Sequence, residues 1–482
     1  MSTLPSPDMP SPDMPSPDMP FPDADYVILS SRLIPDLDGG YTIAALARAR
    51  QMATAGVHAG RGPLLLTVDP GTPAAHEQHR KTLDERGLIT ARERMRNLFD
   101  EAGDVAGGAA TWLRAAAEDG TIDPSLEYRR VADESDAPIV SLPVITGDPD
   151  WHLTEAPIAI HGADGEIVGV IRGFGRLYRV WLEHVVEELR AAGGARPIVV
   201  ICESRQLGEM LVDWDDPDVR LVHAIHTVHV EPPFTSDAPM NALWTRWFAA
   251  ADRFDAIMWP TQAQRADVES RFGPSEINRV VSNAVEVSGR AITPTDRVAG
   301  RVVMLNRLAP GKRVDHAINA FLGVVRRAPE ATLDIYGDGP ELAQLQTLID
   351  GLGLGGHVSL RGSTDDPVWA VSTASALLST SAYEGQGLAI LEALLVGRPV
   401  VSYDVPYGPR ELLSGGGGLL VADGDVQGLS DAIVRVLTEP DLYDRLSAET
   451  QQASRAADPE HAMAALADEV RRVVERPSRR LS

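Results

Sequence analysis

From about residue 299 onward the chain repeats one unit, a short apolar run followed by a helical stretch, and a parallel sheet wrapped by helices is the fold that absorbs such a repeat. Arg301 to Leu305 precedes a helix over 314–327, and Ala331 to Tyr336 precedes the turn Gly337-Asp-Gly-Pro340 and another helix. The alternation continues through a short strand Val358 to Arg361, a helical stretch ending near Ala376, a strand near Leu377, a helix opening at Gly387, the strand Pro399 to Tyr403 and a helix over 426–437.

The first half carries the same signature. Tyr26-Val-Ile-Leu-Ser30 is followed by Asp38-Gly-Gly40 and a helical pattern from Ile43 to Met52, and further apolar runs fall at Pro63 to Val68, Pro197 to Cys202, Val219 to Ile225 and Ala256 to Trp259. Residues 120–180 break the rhythm: Leu126 to Val131, Ile158 to Ile160 and Ile167 to Arg172 alternate with turn signals such as Gly162-Ala-Asp-Gly165, so an antiparallel β insertion is expected there. At 482 residues, 44% of them hydrophobic, two α/β domains and an insertion fit the length. Residues 6–20 are three copies of Ser-Pro-Asp-Met-Pro, which leave no core to bury, so residues 1–22 are expected to be disordered. A last amphipathic helix is expected within 456–476, with Met463, Leu466, Val470 and Val474 on one face, ahead of a basic tail at 477–482.

The balance of 69 acidic against 44 basic residues, a net charge of −25, argues against nucleic acid as a partner. A single cysteine, Cys202, and a start without a basic, then apolar, leader point to a cytoplasmic protein. The longest apolar runs fall far short of the ~20 residues of a membrane-spanning helix.

Against this acidic background the cations are placed selectively. Lys312 is one of two lysines in the chain, and it follows Arg307 by five positions in Leu305-Asn-Arg-Leu-Ala-Pro-Gly-Lys-Arg313. An ammonium acts as a point charge on phosphate and a guanidinium grips two oxygens, so the pair suits a diphosphate. Downstream, Tyr383-Glu-Gly-Gln-Gly-Leu-Ala-Ile-Leu-Glu392 sets Glu384 and Glu392 on either side of the turn Gly385-Gln386-Gly387, whose following helix, from Leu388, would present free N–H groups to an anion. Taken alone, the two glutamates read equally well as solvated helix charges. Leu221-Val-His-Ala-Ile-His-Thr-Val-His229 raises the question of zinc, but alternate strand residues face opposite sides, which separates His226 from His223 and His229, and no cysteine lies near.

Asn306-Arg307 with Lys312, Tyr336-Gly-Asp-Gly-Pro340 and the Glu384/Glu392 segment, in that order, resemble the nucleotide-binding half of a retaining GT-B glycosyltransferase of the GT4 type, over roughly residues 300–440. Tyr403-Asp-Val-Pro-Tyr-Gly-Pro-Arg-Glu411 resembles a stretch of the poly(glycerol-phosphate) and poly(ribitol-phosphate) α-glycosyltransferases of teichoic acid modification and of related bacterial protein O-GlcNAc transferases, which also carry a β-rich insertion. The resemblance implies two Rossmann-like domains facing across a cleft, an acceptor domain at 23–290 and a nucleotide-sugar domain at 291–455, with the C-terminal helix returning to the first domain. It implies that Arg307 and Lys312 neutralise the diphosphate, that Glu384 lies near the donor sugar and Glu392 on the ribose, and that Gly385, Gln386, Gly387 and Leu388 approach the donor. His226 is implied in the cleft against donor sugar or acceptor, Gly39 and Gly40 as the opposing glycine loop, and Asn283 at the hinge. Many relatives have phenylalanine where this chain has Gln386.

The implied reaction is retaining transfer of a hexose, glucose or GlcNAc, from a UDP-sugar to a hydroxyl, with no metal or other cofactor, and with His226, Arg307, Lys312 and Glu384 as the catalytic set. The expected acceptor is a polyol-phosphate polymer; a protein or secondary metabolite as acceptor, or a non-catalytic glycosyltransferase-like binding subunit, are the alternatives. Arg471, Arg472, Arg476, Arg479 and Arg480 offer a basic track for an anionic polymer or the inner membrane face, and the β insertion a surface for homo-oligomers.

Overall fold

The computed structural model describes residues 21–37, 39–133, 136–194, 196–285 and 297–481. The Ser-Pro-Asp-Met-Pro repeats, Asp38, the expected domain boundary at 290/291 and the last residue of the basic tail, Ser482, lie outside the described residues. Of the stretch expected to be disordered, Phe21 and Pro22 are ordered: Phe21 packs edge-on against Tyr26, and the Tyr26 hydroxyl donates to the Pro22 carbonyl at 2.6 Å.

In chain order the first domain contains β1 (Asp25–Ser30), β2 (Leu64–Thr67), β3 (Met95–Asn97), then the insertion strands β4 (Glu127–Ala132), β5 (Pro138–Val144), β6 (Pro157–His161) and β7 (Ile167–Arg172), then β8 (Ile198–Cys202), β9 (Val219–Ala224), β10 (Ala256–Trp259) and β11 (Asn278–Val280). Seven of these form a parallel sheet in the order β11-β10-β9-β8-β1-β2-β3, and β4-β5-β6-β7 form an antiparallel sheet. Successive side chains of a strand face opposite sides. Val27, Leu29 and Val200 therefore join a core that includes Val140, Ile158 and Ile160 of the insertion and Trp181 of helix Gly173–Gly193. Tyr26, Ile28 and Ile201 join the other core, with Leu46 and Met52 of helix Gly40–Thr54 and Met463, Leu466 and Val470 of helix Pro459–Val474. The insertion shares its core with the parallel sheet, and the C-terminal helix closes the opposite face of that sheet.

Strand β5 is not evident in the sequence because it opens on Pro138 and carries Pro143. Pro143 pairs with Tyr128 of β4 but lies beyond the stretch paired with β6, so its missing N–H costs no bond on that side.

The second domain holds β12 (Arg301–Leu305), β13 (Thr332–Tyr336), β14 (Val358–Gly362), β15 (Ala376–Ser379), β16 (Val400–Tyr403) and β17 (Gly418–Val421), parallel in the order β14-β13-β12-β15-β16-β17. Helices Val314–Arg327 and Val426–Thr438 cover one face, and helix Leu388–Leu395 covers the other. Strand order reverses beside β12, and such a switch point opens a crevice at the carboxyl ends of the strands. The loops leaving β12 and β15 flank that crevice, and they carry Arg307, Lys312 and Glu384.

The basic C-terminus is not a free track. Arg480 is buried, ion-paired with Asp255 at 2.8 Å, and donates to the Trp214 and Val219 carbonyls. Arg476 and Arg479 pair with Glu276, Arg471 with Asp468, and Arg472 lies 3.7 Å from Glu469. Acidic side chains of the chain itself pair with these guanidiniums: Arg476, Arg479 and Arg480 fasten the C-terminus to the first domain, and Arg471 and Arg472 pair within their own helix. No helix among the described residues is long and apolar enough to cross a membrane.

Candidate active site

The loop after β12 is held in place by backbone. The Asn306 amide donates to the Tyr336 carbonyl and the Leu308 amide to the Asp338 carbonyl. A Cβ on Gly337 would lie 1.8 Å from the Asn306 oxygen, and Gly337 has φ +136°, so only glycine lets the two loops meet. Arg307 stands exposed on this loop, and its side chain makes no hydrogen bond or ion pair among the described residues. Lys312 ends the short helical turn Pro310–Lys312; its carbonyl accepts from the Thr380 hydroxyl at 2.8 Å, and its Nζ reaches Glu384 Oε1 at 2.6 Å. The Ser381 hydroxyl donates to the same oxygen at 2.6 Å. Arg313, next in sequence, ties the two loops together by donating to the carbonyls of Thr380 and Ser381.

Glu384 leads into the glycine turn. A Cβ on Gly385 would lie 2.8 Å from the His226 carbonyl oxygen, so this turn is where the second domain meets the first, and Gly387 with φ +97° turns the chain into helix Leu388–Leu395. Glu392 is buried in that helix, and burial pushes its carboxyl up to about 8. It has no hydrogen-bond or ion-pair partner among the described residues.

From the first domain, His226 follows β9 and its Nε2 lies 2.5 Å from Glu203 Oε2. Glu203, at the end of β8, accepts from Arg48 Nε at 2.9 Å, and Arg48 Nη2 donates to Asn283 Oδ1 at 3.0 Å. The Asn283 amide and its Nδ2 both donate to Gln386 Oε1, at 2.9 and 3.0 Å, and Gln386 Nε2 donates back to the Asn283 carbonyl at 3.2 Å. Arg48, Glu203, Asn283 and Gln386 are all buried. Burial alone would raise the Glu203 carboxyl, but the Arg48 charge and the His226 hydrogen bond outweigh it and hold the group at about 2. Expected against the donor, the side chains of Asn283 and Gln386 are bonded to each other across the domain boundary, because the amide of one complements the backbone and amide of the other. Gly39 has φ +54° and Gly40 opens helix Gly40–Thr54, where a Cβ would touch Leu388 Cδ1 at 3.5 Å, so the first glycine loop does approach the second domain.

His223 and His229 do not share the site. His223 meets Trp247 and Phe254 edge-on, His229 stacks on Tyr407 of the second domain, and burial lowers them to about 3 and about 4. Among the described residues no group of three His, Cys, Asp or Glu is arranged to hold a metal ion. The 403–411 segment works at the boundary too: the Glu411 carboxylate accepts from the Gln262 and Ala263 amides at 3.0 and 2.7 Å, capping helix Gln262–Phe272 of the first domain.

The structure thus brings Lys312, Glu384 and the Gly385–Gly387 turn to the backbone of His226. Sequence reasoning missed Arg48 and Glu203. An arginine in the apolar pattern 43–52 and a glutamate at the end of the run 197–202 are the signals that could have found them.

Residues 293–453 match the family model described as glycosyl transferases group 1. Poly(glycerol-phosphate) alpha-glucosyltransferase of Bacillus subtilis (strain 168) is 31% identical over 316 residues, 64% of this chain and 45% of that relative. Poly(ribitol-phosphate) alpha-N-acetylglucosaminyltransferase of Staphylococcus aureus (strain COL) is 29% identical over 189 residues, 39% of this chain and 38% of the relative. The chain spans less than two thirds of the length of these curated relatives. Among solved structures, a mutant of S. aureus TarM in complex with Fondaparinux, alpha-GlcNAc-glycerol and UDP superposes with a TM-score of 0.70 at 16% identity, covering 92% of this chain and 99% of that one. The pneumococcal O-GlcNAc transferase GtfA in complex with UDP and GlcNAc gives 0.68 at 16% identity, over 94% and 100%. The chain therefore has the GT-B fold and carries, over residues 293–453, a match to the glycosyl transferases group 1 domain.

Proposed function

We propose that the protein is a retaining hexosyltransferase that moves glucose or GlcNAc from a UDP-sugar to a hydroxyl of a polyol-phosphate polymer. The observation that carries this reading is the Lys312–Glu384 pair beside a glycine turn that touches the His226 backbone, with Arg307 exposed on the loop that also carries Lys312 and Glu392 buried in the helix that the turn opens. The diphosphate displaces Glu384 from Lys312 and recruits Arg307, while ribose hydroxyls donate to Glu392, which otherwise lacks a partner. A buried carboxyl without partners is costly, and hydroxyl donors relieve that cost.

In the transfer, the bond from the anomeric carbon to the phosphate oxygen breaks as the acceptor oxygen bonds to the same face of that carbon, and the acceptor proton passes to the departing diphosphate. Negative charge grows on the leaving oxygen, where Arg307, Lys312 and the start of helix Leu388–Leu395 stabilise it. Two cations held by the chain take the part a metal plays elsewhere, which supports metal-independent transfer. The names of the relatives support the polymer acceptor, the single, buried Cys202 a cytoplasmic setting, and the insertion sheet an oligomer contact.

The test is UDP release from a panel of UDP-sugars with and without poly(glycerol phosphate). Polymer-stimulated release is expected. Release that ignores the polymer would refute this acceptor, and none from any donor would refute UDP-sugar transfer itself.

A further inference from the structure

Resting on that reading, the interdomain chain of polar groups carries one more step. We propose that Gln386, Asn283, Arg48 and Glu203 are positioning residues that fix His226 as its Nε2–H tautomer, with Nδ1 left bare for a substrate hydroxyl, and that Gln386 makes this depend on the two domains being closed.

The proton positions follow from the partners. The Asn283 backbone amide can only donate, so the Gln386 atom facing it must be oxygen, and that same oxygen then requires Asn283 Nδ2 as its second donor. With Nδ2 turned to Gln386, Asn283 Oδ1 is turned to Arg48, which can only donate. Arg48 in turn spends its Nε on Glu203 Oε1, leaving Oε2 for His226. A carboxylate only accepts, so His226 Nε2 must carry the proton. Nδ1 makes no hydrogen bond among the described residues, and the ring keeps 12% of its surface exposed, with Tyr41 edge-on against it at 5.4 Å.

Each link has one allowed orientation, set by the backbone amide at Asn283, and only Gln386 comes from the second domain. Were the domains to part, the Asn283 amide would lose the contacts that orient it, and Arg48 would lose a fixed acceptor. A phenylalanine at this position could make none of the three bonds.

The test uses the full chain with 15N-labelled histidine, without donor, at pH 8, and assigns the His226 nitrogens by difference from His226→Gln. Protonated Nε2 and bare Nδ1 are expected in the wild type. In Glu203→Gln the amide oxygen must stay on Arg48, which presents NH2 to His226, so the proton should move to Nδ1. Gln386→Met frees Asn283 to turn its Oδ1 away from Arg48, which should loosen Arg48 from Glu203 and Glu203 from His226 and so admit a fraction of the Nδ1–H tautomer. A wild-type signal with Nδ1 protonated, or a Glu203→Gln signal unchanged from wild type, would overturn the proposal. In the transfer assay, Glu203→Gln should lower kcat by about tenfold or more with donor KM within about threefold, and Gln386→Met should add less than about twofold in that background. Additive losses would overturn the coupling. If the wild type transfers no sugar, UDP-sugar transfer is what fails, and the tautomer readout still decides the relay.

Discussion

Lys312 Nζ lies 2.6 Å from Glu384 Oε1, joining residues 72 positions apart across the crevice between β12 and β15. The pair is half-buried, so the carboxylate competes with any diphosphate for the same ammonium. Glu384→Gln keeps the shape and removes the competing charge. UDP should therefore bind that variant several-fold more tightly by calorimetry, although sugar transfer falls.

Glu392 gives a pH signature. With its carboxyl raised to about 8, the folded protein holds a proton that the unfolded chain has released from its ordinary carboxylate value upward. Stability from this group is present at low pH and lost as pH rises towards 8. Glu392→Gln should therefore gain on wild type as pH rises from 5 to 9, by about 1 kcal/mol or more in urea unfolding, while its affinity for UDP falls.

Gly385 tests the domain contact. An alanine Cβ would sit 2.8 Å from the His226 carbonyl, whereas at Gly351 it would meet nothing within 4 Å. Gly385→Ala should cut sugar transfer by at least about tenfold, equivalent to ~1.4 kcal/mol in the barrier, with Gly351→Ala close to wild type.

Arg480 tests the docked C-terminus. Its side chain and that of Asp255 are nearly inaccessible, so Arg480→Ala leaves a buried carboxylate without its ion-pair partner, held only by the Leu221 and Arg479 amides, and should cost about 3 kcal/mol of first-domain stability. Arg471→Ala, whose partner Asp468 is half exposed, should change stability by under about 0.5 kcal/mol.

Much of the second domain is legible because each βα unit writes its own apolar run and helix: the stretch read as 314–327 is Val314–Arg327, and that read as 426–437 is Val426–Thr438. Strand β5 is hidden by its prolines. Lys312 and Glu384 stand out locally as charges beside glycine turns, so they can be found one at a time. Arg48 and Glu203 show locally only as a charge inside one apolar pattern and a charge at the end of another; what they do lies in partners 155 and 23 positions away. The C-terminal arginines misled for the same reason. The carboxylates of Arg479 and Arg480, Glu276 and Asp255, sit more than 200 positions earlier.

The most direct measurement is the rate of UDP release from UDP-glucose and UDP-GlcNAc, with poly(glycerol phosphate) present, by wild type and by Lys312→Ala. On the proposed reading Lys312 meets the leaving diphosphate, so losing its ammonium should raise the barrier by about 3 kcal/mol and slow the variant about a hundredfold. Equal rates for the two proteins would contradict the assignment of Lys312 to the leaving group, and with it the placement of the donor between β12 and β15.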